Sequence, residues 1–131
     1  MKYTYTAVIT PNEDGTTWYC RVPDLPGCIT TGKDLSDAIA MITEAASGWL
    51  CVAEDQGSKV YDPTPQTDIP HDDCAVLTII QIDTLAYRAA TDTRAVRKNV
   101  SLPAWMAIMA DKRKLSCSQI LQEALMKVLG S

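Results

Sequence analysis

Residues 94–103, Arg-Ala-Val-Arg-Lys-Asn-Val-Ser-Leu-Pro, constrain this chain more than any other stretch. Read with a period of two, they set Val96, Lys98, Val100 and Leu102 on one face and Arg97, Asn99 and Ser101 on the other. The run stops at Pro103, a residue suited to open a helix. The 28 residues that follow contain two helix-patterned runs and nothing that reads as a second strand. A lone strand with an apolar face and unpaired N–H and C=O groups is not stable in water. Its simplest partner is the same strand from another chain. Two copies would form an antiparallel ribbon over a shared helical core, with Arg97, Asn99 and Ser101 of both chains side by side, which is the shape of a major-groove reader.

The two helical runs support dimerisation. The first carries Leu102, Trp105, Met106 and Met109 on one side and ends near residues 112–114. Ser116 is placed to cap the second, with Gln119 returning the bond as a capping box, and Ile120, Leu121, Ala124, Leu125, Val128 and Leu129 form its apolar face. A two-helix piece of this size cannot close a core by itself, so a second chain is expected on stability grounds.

Charge divides the chain at the same place. Residues 1–93 hold 5 Lys and Arg against 14 Asp and Glu, net −9, while residues 94–131 hold 7 against 2, net +5. A basic module behind an acidic body points to a polyanion at one end and a basic partner at the other. No apolar run of about 18 residues and no leader with a basic start is read, so neither a membrane span nor a signal peptide is expected and the chain reads as cytoplasmic. The five cysteines, Cys20, Cys28, Cys51, Cys74 and Cys117, are odd in number, widely spaced and free of CxxC pairs. They read as small reduced core residues rather than disulfides or metal ligands.

The first 83 residues read as β-β-β-α-β. Residues 3–10 alternate Tyr3, Tyr5, Ala7 and Ile9 against Thr4, Thr6, Val8 and Thr10. Turn residues 11–15 lead into a second strand at 17–22, and the proline-rich residues 23–27 separate it from a short third strand at 28–31. A long helix begins after Asp34 as N-cap, with Asp37 at the capping-box position, and ends at Gly57. Gly48 inside it suggests close approach of another backbone. A loop with Pro63, Pro65 and Pro70 precedes residues 75–82, read as a strand buried on both faces or nearly so. The expected class is therefore α+β, in three parts: a body at 1–83, a linker at 84–93 with room for a helical turn, and the basic module at 94–131.

Catalytic signals are weak. His71 is the only histidine and sits in a polar loop beside Asp72 and Asp73, where exposure is the ordinary outcome. A two-metal nuclease needs several convergent carboxylates. Asp24 and Asp83 lie at strand ends, but no spacing joins them. There is no nucleophile elbow, phosphate loop or metal-ligand spacing, and no cofactor, metal or catalytic residue is expected.

Residues 95–130 resemble the ribbon-helix-helix DNA-binding domain, with Arg97-Lys98-Asn99-Val100-Ser101-Leu102-Pro103 as the ribbon and residues 119–125 as the start of the second helix. The N-terminal part, with Tyr19, Pro23-Asp24-Leu25-Pro26-Gly27-Cys28, Thr31-Gly32 and the helix from Asp34, resembles HicB-type antitoxins, as does the order of the two modules. The resemblance implies a degenerate, catalytically dead RNase H-like domain that binds a small HicA-type RNA-cleaving toxin, followed by a domain that represses the operon. Two departures stand out. Lys98 occupies the face that usually buries an apolar side chain, so its stem must lie along the core edge. The inter-helix turn, Arg113-Lys114-Leu115, lacks the usual Gly.

Within that frame Arg97 can pair with guanine, Asn99 with adenine, and Ser101 with a base or a phosphate. The start of the last helix, with Ser116 and Ser118, offers N–H groups to a phosphate, and Arg94, Lys112, Arg113 and Lys114 add backbone attraction. The expected partners are operator duplex DNA, a second copy as a dimer or dimer of dimers, and a basic toxin on the acidic body, for which the 23–27 loop and the exposed sheet face are candidates. Two other functions fit the same order of modules: a metal-dependent nuclease targeted by its DNA-binding tail, and a ligand-sensing repressor without a toxin.

Overall fold

The structure is a computed structural model that describes residues 1–130; Ser131, the last residue of the expected C-terminal module, lies outside the described residues. Strand β1 (Lys2–Pro11) is central. It pairs antiparallel with β2 (Trp18–Arg21) and with β4 (Val76–Asp83), and β2 pairs with β3 (Ile29–Gly32), so the sheet order is β3-β2-β1-β4. Helix α1 (Leu35–Gln56) covers one face.

The core follows from the period-two pattern. Tyr5, Ala7 and Ile9 face inward from β1 and meet Cys20 of β2, Ile80 and Ile82 of β4, and Ala38, Ile42, Ala46 and Leu50 of α1. Each fully buried Ile or Leu contributes on the order of 1.5–3 kcal/mol. Leu25 plugs the end of this core from the 23–27 loop, which is bent back by the hydrogen bond from Val22 N–H to the Cys28 carbonyl and tied to α1 by Trp49 Nε1–H donating to the Pro26 carbonyl at 2.9 Å. Strand and helix approach closely at Gly32: a Cβ there would run into the Ala38 backbone nitrogen and Cα.

Local signals place α1. The Asp34 carboxylate accepts the Asp37 N–H at 2.7 Å, and Asp37 reaches back to the Lys33 N–H at 2.9 Å, one residue beyond the cap a longer Glu would serve. At the other end Gly57 takes φ +64 and closes the helix. By length and composition α1 is apolar enough to cross a membrane, contrary to the expectation that no such run exists; here its apolar stripe lies against the sheet. Gly48 does not meet another backbone. The nearest atom to a Cβ there would be the Tyr87 hydroxyl at 3.5 Å.

Two further expectations are corrected. Strand β4 is not buried on both faces: Ile80 and Ile82 are buried, but Ile79 is 60% exposed, because β4 is an edge strand of an antiparallel sheet covered on one side. Only Cys20, Cys28 and Cys51 are buried; Cys74 and Cys117 are exposed, one before β4 and one at the start of the last helix. The helical turn expected within residues 84–93 extends to a two-turn helix α2 (Thr84–Thr91), capped by the Asp83 carboxylate accepting from Leu85 and Ala86 N–H.

Helix α2 is clasped to the body. Arg88 Nη2 donates to the Cys51 carbonyl at 3.1 Å and pairs with Glu54 at 3.2 Å and Asp55 at 2.9 Å. Tyr3 Oη donates to Glu54 Oε2 at 2.8 Å, Thr84 Oγ1 lies 3.0 Å from the same oxygen, and the N-terminal ammonium donates to Thr84 Oγ1 at 3.2 Å. Beyond α2 lie α3 (Ala104–Lys112) and α4 (Cys117–Leu129).

Candidate nucleic-acid interface

Between α2 and α3, residues 93–103 carry no regular structure and no ladder partner among the described residues. The strand expected over 94–103 is therefore not formed in the single chain. A strand exists by its ladder, and one copy supplies none. Arg97, Asn99 and Ser101 are exposed as anticipated, but so is the other face: Val96 is 90% exposed, and Val100 and Leu102 are also open. Neither face is buried in the chain's own sheet.

The helices beyond show the same condition. Trp105 is 62% and Val128 70% exposed, and Met106, Ile108, Met109, Leu115, Ile120, Leu121, Leu125, Met126 and Leu129 are all exposed. Every large apolar side chain from Val96 to Leu129 is thus in water, whereas the body has closed its core. Single exposed leucines are ordinary; a module with no buried apolar side chain is not.

The turn between the helices answers the missing glycine with Lys114 itself, held at φ +54, while its N–H bonds the Asp111 carbonyl and the Leu115 N–H bonds the Ala110 carbonyl. The left-handed region costs a non-glycine residue about 1–2 kcal/mol. Ser116 caps α4 through Oγ, which accepts the Gln119 N–H at 3.3 Å. The return bond of a capping box is absent, because the Gln119 side chain turns along the helix to Glu123 at 3.4 Å. Cys117 and Ser118 N–H, in the first turn, find no acceptor among the described residues and point out of the helix end, the arrangement a phosphate suits.

Arg94 is engaged differently from Arg97. Its Nε and Nη2 each lie 2.9 Å from an oxygen of Asp92, a bidentate pair that holds the Asp92 carboxyl at about 2, well below its usual range. The sequence reading missed this contact, although the i, i+2 spacing of opposite charges was there to see.

In the body, the two strand-end carboxylates, Asp24 and Asp83, have structural partners. Asp24 accepts the Thr64 N–H at 2.9 Å and the Thr64 hydroxyl at 2.5 Å, which pins the proline-rich loop, and Asp83 caps α2. His71 is exposed, with Nδ1 2.9 Å from the Ile69 carbonyl. No group of three His, Cys, Asp or Glu side chains able to hold a metal occurs among the described residues.

A four-stranded antiparallel sheet under one long helix, followed by an open segment and two short helices, can be compared with known proteins. A family model described as the HicB-like antitoxin of bacterial toxin–antitoxin systems matches residues 5–124. The chain belongs to the HicB-like antitoxin family. This HicB-like chain is similar to one in a toxin–antitoxin complex from Streptococcus pneumoniae, with TM-score 0.59 and 20% identity over 97% of this chain and 99% of that one. It is also similar to the antitoxin HicB of Burkholderia pseudomallei, with TM-score 0.54 and 23% identity over 97% and 98% of the two chains. At these identities the likeness concerns the fold. In sequence, the UPF0150 protein Ta0767 of Thermoplasma acidophilum is 44% identical over 46 residues, which is 35% of the HicB-like chain and 65% of that relative. The chain thus spans slightly less than two thirds of that relative's length.

Proposed function

We propose that this HicB-like antitoxin neutralises a small, basic, RNA-cleaving toxin of the HicA type through its body at residues 1–83, and represses its own operon through a ribbon-helix-helix domain at residues 94–131. Residues 84–93 connect the two. The observation that carries the second half is the exposure of every large apolar side chain from Val96 to Leu129 beside exposed Arg97, Asn99 and Ser101. Pairing two copies would turn Val96, Val100 and Leu102 onto a shared core and leave the polar face outward. Arg97 then reads guanine, Asn99 adenine, and Ser101 a base or phosphate. The α4 start, with Ser116 and Ser118, holds a phosphate, and Arg94, once released from Asp92, adds a backbone contact.

The β-β-β-α-β order supports reading the body as a degenerate RNase H-like domain, and the engagement of Asp24 and Asp83 in hydrogen bonds supports a binding rather than a hydrolytic role. Its net charge of −9 complements a basic partner, raising the capture rate and helping to cover that partner's RNA surface. The family membership and the similarity to a chain in a toxin–antitoxin complex support the same partner class.

The test has two arms. Full-length protein titrated against a duplex from its own promoter should bind with a steep salt dependence, and Arg97→Ala should weaken binding by about 1–3 kcal/mol while relaxing preference at one base pair. Unchanged affinity and preference would reject the readout role. Co-expression with the toxin gene beside it should yield a complex and relieve growth arrest; no complex and no relief would reject the antitoxin role.

A further inference from the structure

The eight residues of β4, Val-Leu-Thr-Ile-Ile-Gln-Ile-Asp, form one margin of the sheet and are paired on one side only, with β1. The opposite margin, β3, is four residues long. Folded proteins usually blunt a long free margin with lysine, proline or shortness, since its unpaired N–H and C=O groups invite another strand. Strand β4 has none of these, and its central Ile79 is 60% exposed. Beside it lies a shallow, open depression between α1 and α2, where Ala40, Ser47 and Ala86 sit with Gln81 and Tyr87 and with the carboxylates of Glu44 and Asp83. A fifth strand laid along β4 would set alternate side chains over this depression and the others beside Ile79.

Charge selects the occupant. The body of a second copy would bring another net −9 to the same place, and that copy's basic strand at residues 94–103 is assigned to the ribbon, whereas a basic partner chain meets Glu44 and Asp83 with opposite sign. We infer that the free margin of β4 receives an extended, basic strand of the partner protein. Main-chain hydrogen bonds supply affinity, and the carboxylates beside the margin favour basic side chains on the incoming strand. The inference rests on the proposal that the partner is the toxin encoded beside this chain.

Hydrogen exchange on the full-length protein, alone and with the co-expressed toxin, tests it directly. In the complex, the outward amides of residues 76–83 should exchange at least about tenfold more slowly. Ile79→Lys and Glu44→Lys, both at exposed positions, should each weaken toxin capture by about tenfold or more while promoter binding stays at the wild-type level. A complex that forms with β4 exchanging as in the free protein, or Ile79→Lys capturing toxin as the wild type does, overturns the β4 site and leaves the antitoxin reading standing. Failure of the wild-type protein to capture the toxin overturns both. Protection of β4 that follows antitoxin concentration without toxin assigns this margin to a second copy and overturns the inference.

Discussion

Gly32 and Gly48 look alike in the sequence and differ in their surroundings. A Cβ on Gly32 collides with the Ala38 backbone, which cannot move without displacing α1, so Gly32→Ala should lower stability by about 1–3 kcal/mol. A Cβ on Gly48 meets only the Tyr87 hydroxyl at ordinary distance, and Gly48→Ala should raise stability by up to about 1 kcal/mol through helix propensity. Urea unfolding of the two variants checks both signs. The sequence drew attention to the wrong one, because a glycine inside a helix pattern is conspicuous and one at a strand end is not. Lys114 is the reverse case: a turn recognised as lacking glycine proves to hold a lysine at φ +54. Lys114→Gly should stabilise the protein by about 1 kcal/mol at fixed protein concentration, read as a raised thermal midpoint; a lowered midpoint would show that the lysine side chain compensates for its backbone.

Elements with signals at both ends were legible. Asp34 and Gly57 bound α1, and the alternation of residues 3–10 marks β1, because caps and period-two patterns are local. The exposure of β4 was not legible, since an apolar run reads the same at the centre of a sheet and at its margin, and position in the sheet is decided by topology. The extent of α2 was also hidden, because its cap, Asp83, is at once the last residue of a strand. The clasp that holds α2 makes a prediction at this scale. Burial, with the Glu54 hydrogen bond, pushes Tyr3 from 10.0 up to about 12, and burial pushes Cys28 from 9.0 up to about 11. Both groups hold their protons more tightly when folded. The associated stability is fully present below pH 9 and is lost as pH rises through 11 and then 12. The urea midpoint should fall across that window, and Tyr3→Phe should flatten the portion nearest 12; a midpoint independent of pH there would contradict the assignment.

At the scale of the whole molecule, the acidic part has a closed core and the basic part has none in a single chain. The change of charge at residue 94 was readable in the sequence, and the basic part was readable as a deficit, apolar faces with no partner among the described residues; the partner proposed for them is a second copy. If two copies complete this part as proposed, its stability should rise with protein concentration. The most direct measurement is isotope-filtered NOE spectroscopy on a mixture of labelled and unlabelled full-length protein. The account predicts contacts between chains from the amides of residues 94–103 and the methyls of Val96, Val100 and Leu102. Contacts confined within one chain, or none at all from this segment, would contradict it.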